Sequence, residues 1–355
     1  MPNLPETLDQ SKLTRRSVRS RLIVAVAIAT AAALMPLMAH RTFGVTDTDF
    51  SVFWFAGKAL LQGQNPYTVI RPGGEYDAVM VFNYPITSAV AALPLAGFGE
   101  LAAVTLFVWV STGLLAYGLT SLGWSRLPLF LSVPFFVAVH QAQWSPIFTA
   151  AACLPALGWI LAAKPNIGLA ILAADQSGRT LKIALLGGGA LTLIGFLLVP
   201  TWLGDWLGSL PLDRRYSPPL LSPLGWLSIL ALLRWRRPEA RLILVLACVP
   251  QTAAWYDVLP FFLVAVTFRE TLFLALVTSA PVAYELVFGR SDGFLRLYPV
   301  GFEWMVFACL PALIILLRRP NEGELPAWLS DLRRVLAVRS FSRAAQSRRD
   351  DGGAL

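Results

Sequence analysis

The sequence predicts an all-α, polytopic membrane protein of about ten transmembrane helices. Two observations carry that expectation. Of the 355 residues, 56% are hydrophobic and only 14% charged, with a mean hydropathy of +0.62, whereas soluble domains carry about a quarter charged residues. Apolar runs near the length that crosses ~30 Å of hydrocarbon recur almost to the C-terminus, and no soluble domain of ordinary size fits between them. Function is thereby confined to loops and to polar residues within the membrane.

Charge placement supplies the orientation. The net charge of +8 comes from basic residues in the two tails and in short connections, which is the positive-inside pattern and not a nucleic-acid groove. Residues 1–21 carry Lys12, Arg15, Arg16, Arg19 and Arg21 and are expected to form a cytoplasmic tail. The first span follows at Leu22 to Ala39. No A-x-A cleavage site marks the boundary at His40-Arg41-Thr42, so an uncleaved anchor is expected. Further spans are expected at 100–121, 127–140, 144–163, 183–200, 219–234, 242–254, 256–268, 270–288 and 299–317. An even count returns the chain to the cytoplasm, where Arg318, Arg319, Arg333, Arg334, Arg339, Arg343, Arg348 and Arg349 lie. The same walk places Arg126, Arg179, Lys182, Arg234, Arg236, Arg237, Arg241 and Arg269 inside. The expected division is a tail (1–21), a transmembrane domain (22–319) holding a first extracytoplasmic loop (40–85), and a C-terminal cytoplasmic tail (320–355) with the charged composition of a partly disordered segment. The location that fits is the plasma membrane, with both termini in the cytoplasm.

Cys153, Cys248 and Cys309 lie inside apolar segments without metal-ligand spacing and read as packing residues. His40 and His140 are too few and too scattered for a histidine-built metal centre; no cofactor is expected, and the sequence leaves a divalent-metal requirement open. No internal repeat is visible, which weakens a transporter of duplicated halves.

The loop from His40 to Tyr84 is the longest polar stretch, and it emerges opposite the tails. Asp49 is placed to cap a helix from Phe50 to about Leu61, with Gly63 as its stop and Asn65-Pro66 as a turn. Phe50, Phe53, Trp54, Gly57, Leu60 and Leu61 form an apolar stripe suited to lying on the membrane surface. Tyr84-Pro85 opens a second moderately apolar helix to about Phe98.

The run Asp49-Phe50, Phe53-Trp54, Ala56-Gly57, Ala59-Leu60-Leu61, Gly63, Asn65-Pro66-Tyr67, then Phe82, Tyr84-Pro85 and Pro94-Leu95, resembles glycosyltransferase family 87. These are polyprenol-phosphate-mannose-dependent mannosyltransferases of GT-C architecture. Gln143 before a span with Lys164-Pro165 at its end, and Tyr256-Asp257 before Leu259-Pro260, are similar to later parts of the same pattern. The resemblance is dense over 49–95 and thin beyond. It departs at Ile86, where the family has a second proline, and in a short interval between Gln143 and Lys164.

The resemblance implies a GT-C-like fold and transfer of a sugar, mannose by default, from a polyprenyl-phosphate sugar to a hydroxyl of a glycolipid or glycan acceptor on the extracytoplasmic face. Phosphate leaves as an anion and needs no protein acid, so one carboxylate can serve as base, with inversion. Asp49 aligns with the family's loop aspartate and is the expected base, with Asp47 as second candidate. Asp47-Thr48-Asp49 also mimics a D-x-D metal motif, which three residues alone do not establish. Lys58, Arg214, Arg215 and Arg290 are candidates to neutralise the lipid phosphate. Asn65, Tyr67, Tyr84, His140, Gln143, Tyr256 and Asp257 are candidate substrate-binding residues on the outer side. Lys164 belongs with them by its pattern, but the walk puts it on the inner side; either its segment is re-entrant or the lysine anchors a helix end by snorkelling, the reading the walk favours. A transporter or flippase for a lipid-linked or small polar solute is the alternative function.

Overall fold

The computed structural model describes residues 6–44, 48–78, 80–175, 178–210, 217–250, 254–288 and 301–324. Asp47, Arg214, Arg215, Arg290 and the expected C-terminal tail beyond residue 324 lie outside them.

Among the described residues the chain is almost entirely helical. The one sheet is a two-stranded parallel pair joining Ile70 to Tyr76 and Arg71 to Asp77. Three helices are long and apolar enough to cross a membrane: α1 (Glu6–Phe43) over Ser17–Phe43, α5 (Glu100–Leu122) and α9 (Arg179–Leu198). Shorter helices complete the bundle: α2 (Asp49–Leu61), α3 (Pro66–Val69), α4 (Ile86–Ala96), α6 (Val133–His140), α7 (Ser145–Cys153), α8 (Pro165–Ala174), α10 (Trp202–Ser209), α11 (Pro238–Cys248), α12 (Phe268–Phe288) and α13 (Gly301–Leu317). Tight 3₁₀ segments at Trp124–Leu131, Pro155–Ala163, Gly225–Arg234 and Trp255–Val264 extend or replace α-helical passes.

Residue contacts define two ends. α1 and α5 run antiparallel: Arg21 donates to the Tyr117 carbonyl at 2.9 Å and stacks on its ring, while Trp109 reaches Thr30. The other end of α5 meets α2 and α4, where Trp54 donates to the Phe98 carbonyl at 3.1 Å. α2 and α4 touch closely, because a Cβ on Gly57 would lie 3.0 Å from that of Ala96.

The segment 144–163 corrects the expected topology. Read as one span, it folds as two passes. Trp144 packs on Phe107 near the α2 end of α5, and Cys153 lies against Gly118 near its far end, so α7 runs parallel to α5. The chain reverses at Leu154-Pro155 and Pro155–Ala163 climbs back along α9, where Trp159 fills the space a Cβ on Gly187 would need. Thr87 at the head of α4 donates to the Ala162 carbonyl at 2.6 Å. Lys164 therefore ends at the α2 end. α8, absent from the expected spans, then descends to Ala173, whose carbonyl accepts from Arg241 at 2.8 Å. Nine residues of α-helix rise about 14 Å and nine of 3₁₀ about 18 Å, each short of the ~30 Å hydrocarbon thickness. Together they resemble one span in a hydropathy reading. Adding the return pass and α8 leaves the parity unchanged.

The basic residues meet at the opposite end. Arg126 reaches the carbonyls of Phe262 and Leu263, Arg319 that of Val264, and Arg234 those of Leu317 and Arg319. Short passes leave their last carbonyls without intrahelical partners, and guanidinium groups satisfy them. Cys153 and Cys309 are packed as expected, whereas Cys248 is exposed.

Candidate functional site

α2 begins where Thr48 serves as N-cap, its backbone N–H donating to Ser51 Oγ at 3.0 Å. Asp49 is thus the first helical residue and does not cap, a correction to the expected alternative role. Its carboxylate points across the bundle. Oδ2 accepts from Gln143 Nε2 and from the Tyr256 hydroxyl at 3.3 Å. Among the described residues Oδ1 accepts no hydrogen bond.

The expected surface stripe is the second correction. Phe50, Phe53, Trp54, Gly57 and Leu60 are buried against α4, α5 and Trp144; only Leu61, 62% exposed, faces outward. Burying these rings in protein removes more apolar area than an interfacial pose would. It also fixes Asp49 rigidly, since the ring pairs Phe50–Phe107 and Phe53–Trp144 lock the first turn of α2 beside Gln143.

Gln143 follows a tight stop to α6: Ala142 adopts φ +46° and Gln143 N–H returns to the Ala138 carbonyl at 2.8 Å. The side chain is buried to 1% exposure, and its Oε1 has no hydrogen-bond partner. Tyr256 and Asp257 enter from the start of Trp255–Val264. Asp257 is fully buried and holds Lys164, itself 7% exposed, through both carboxylate oxygens at 2.9 Å. Lys164 Nζ also lies 5.1 Å from the Tyr256 ring. Lys164 does not snorkel, the third correction: a buried ammonium is tolerated because a bidentate carboxylate compensates it.

Burial pushes the Asp49 carboxyl from its ordinary 3.8 up to about 6, against the lowering pull of the Lys164 ammonium and the hydrogen bonds from Tyr256 and Gln143. Such a group is ionised at neutral pH and basic enough to take a proton.

A cavity of about 330 Å³ opens beside Lys164. Tyr84, Asn166, Leu169, Trp206 and Val249 are among its lining residues. An ammonium has three N–H donors; Asp257 takes two, and the third is left for the cavity.

No known protein family matches this chain. No curated protein and no solved structure matches it either.

The structure gathers Asp49, Gln143, Tyr256, Asp257 and Lys164 into one cluster, with Tyr84 on the cavity wall. Other expected residues play different parts. Lys58 stacks over the Trp54 ring at 4.4 Å, about two and a half helical turns from the head of α2. Asn65 caps α3 by accepting from Tyr67 N–H and donates to Asp205 at 2.7 Å, tying α3 to α10. Tyr67 donates to the Tyr84 carbonyl at 2.7 Å, and burial pushes its phenol up. His140 stacks on Phe136 at the end of α6. Sequence reasoning missed Asn166 and Trp206. Trp206 donates to the Asn83 carbonyl at 3.1 Å; a tryptophan just beyond an apolar span is the signal that marks such a position.

Proposed function

We propose that this chain is a polytopic membrane glycosyltransferase that moves a sugar, mannose by default, from a polyprenyl-phosphate donor to an acceptor hydroxyl on the extracytoplasmic face. The α2 end is taken as extracytoplasmic and the arginine end as cytoplasmic, with both termini inside and a GT-C-like arrangement of passes. The observation that carries the reading is the cluster itself: a carboxylate with elevated basicity and a free Oδ1 next to a buried ammonium that opens on a largely apolar cavity.

In this mechanism the acceptor hydroxyl donates to Asp49 Oδ1. As its oxygen bonds to the anomeric carbon, the proton passes to Asp49 and the bond to the phosphate oxygen breaks on the opposite face, inverting the centre. The departing lipid phosphate gains charge as it leaves, and the Lys164 ammonium stabilises that charge more than it stabilises the donor. Gln143 and Tyr256 hold the Asp49 carboxylate in one orientation, so no reorganisation accompanies the step. This scheme is written without a metal, using only side chains of the chain itself.

One observation favours the transporter or flippase instead: a buried Lys164–Asp257 pair set between short, broken passes is the kind of intramembrane element that transporters use. Purified protein in liposomes, supplied with a panel of polyprenyl-phosphate sugars and membrane acceptors, separates the two. The transferase reading expects labelled sugar covalently on the acceptor. Translocation of intact donor with no transfer from any sugar would replace it with the flippase.

A further inference from the structure

The cavity beside Lys164 has one wall that the bundle itself anchors only lightly. α10 supplies Trp206 and Leu210 to the lining, and α8 supplies Asn166 and Leu169. On its other side α10 is bare: Leu203 and Leu207 are 42% and 53% exposed, and a Cβ on Gly204 or Gly208 would meet no atom within 4 Å. Its eight residues fall below the ~12 that an isolated helix needs in water. The first turn packs through Trp202 on Phe196 of α9. The rest of its placement has to come from polar ties.

One turn of the first loop supplies them. Asn65 Nδ2 donates to Asp205 Oδ2 at 2.7 Å, and the Thr201 hydroxyl donates to the same oxygen at 2.7 Å. Two residues on, Tyr67 donates at 2.7 Å to the carbonyl of Tyr84, which lines the cavity. Asn65 Oδ1 accepts from the Tyr67 N–H at 3.1 Å, so one side chain shapes this turn with its carbonyl and holds α10 with its amide. The turn Asn65-Pro66-Tyr67 thereby grips two segments of the cavity wall. Trp206, next to Asp205, is aimed by its indole N–H on the Asn83 carbonyl at 3.1 Å. Neither Asn65 nor Asp205 is in the lining.

We infer that Asn65 and Asp205 are a positioning pair, which holds Trp206 as the wall for the isoprenoid chain of a lipid phosphate whose head lies on Lys164. The inference rests on the reading of this cavity as the donor site.

The test titrates the full chain in detergent micelles with farnesyl phosphate and reads the dissociation constant. Asn65→Asp keeps the acceptor for Tyr67 N–H but sets a carboxylate against Asp205, and is expected to weaken binding about tenfold. Adding Asp205→Asn exchanges donor and acceptor and is expected to return the constant to within about twofold of wild type. Trp206→Ala is expected to weaken binding about tenfold alone. Asn65→Asp added to it should then cost less than about twofold more, because both act at one wall. Should Asn65→Asp not fold, Asp205→Ala, which leaves the turn on Tyr67 intact, takes its place beside Trp206→Ala. Wild-type affinity in Asn65→Asp, a loss that the exchange does not recover, or full additivity with Trp206→Ala would overturn the positioning role and leave the donor site standing. No binding of farnesyl phosphate to wild type would overturn both.

Discussion

The two ends of this bundle handle charge in opposite ways. At the α2 end, Lys164 and Asp257 are buried and pair with each other beside the cluster around Asp49, with one face of the lysine on the cavity. At the other end, Arg126, Arg234, Arg241 and Arg319 reach helix carbonyls, and the ion pair Arg319–Glu270 at 2.7 Å is partly exposed. A buried one-to-one pair places a charge at a defined point but is intolerant of losing either partner. A surface network closes helix ends and spreads its losses.

Breaking the buried pair should have the largest effect. Lys164→Met or Asp257→Asn, each leaving a partner uncompensated, should lower unfolding free energy in mixed detergent by about 3–5 kcal/mol, and the double change Lys164→Met with Asp257→Leu should recover most of it. Glu270→Gln at the arginine end should cost about 1 kcal/mol or less, since that carboxylate is solvated. Equal losses at both ends would erase the contrast. Next in size is the close approach of α2 to α4: Gly57→Val, which pushes α4 away, should cost about 1–3 kcal/mol by the same measurement. The smallest change is Lys58→Ala, which removes the contact with Trp54 for about 0.5–1 kcal/mol and should leave transfer activity unchanged. A large loss of activity there would return Lys58 to the site.

The pH dependence follows from Asp49. Its folded pKa of about 6 exceeds its ordinary 3.8 because burial disfavours the anion. Between those values the folded state holds more protons than the unfolded one, so the stability contribution is present below pH 3.8 and is lost as pH rises through 6. Activity should move the other way, with kcat/KM rising through an inflection near pH 6 to a plateau. A profile flat from pH 5 to 8 would remove the elevated carboxylate from the mechanism.

Much of this organisation was legible in the sequence. The helices expected from Phe50 to about Leu61 and from Tyr84-Pro85 to about Phe98 form as Asp49–Leu61 and Ile86–Ala96, and they, the stop at Gly63 and the collection of arginines at one end follow from turn and charge rules that act over a few residues. Asp49, Gln143, Lys164, Tyr256 and Asp257 could each be named, through a resemblance concentrated in the first loop. What was not legible was how they meet. Hydropathy over 144–163 cannot register the reversal at Leu154-Pro155, because both short passes are equally apolar. That reversal is what returns Lys164 to Asp257. The stripe on α2 shows the same limit: an apolar face is written identically whether lipid or α4 and α5 will cover it. Labelling tests the corrected path. Cysteines at Thr68 and Asn166 should react from one side and a cysteine at Ser342 from the other; Asn166 reacting with Ser342 would restore the single span.

The central claim is that Asp49 is the base of a sugar transfer, and single-turnover transfer by Asp49→Asn measures it most directly. The substituted amide keeps the shape of the side chain and removes a costly buried charge, so the variant should melt no lower than wild type at pH 7.5. Transfer should fall by about 10²–10⁴-fold, the range of general base catalysis. A well-folded Asp49→Asn protein that transfers sugar at the wild-type rate would contradict the assignment.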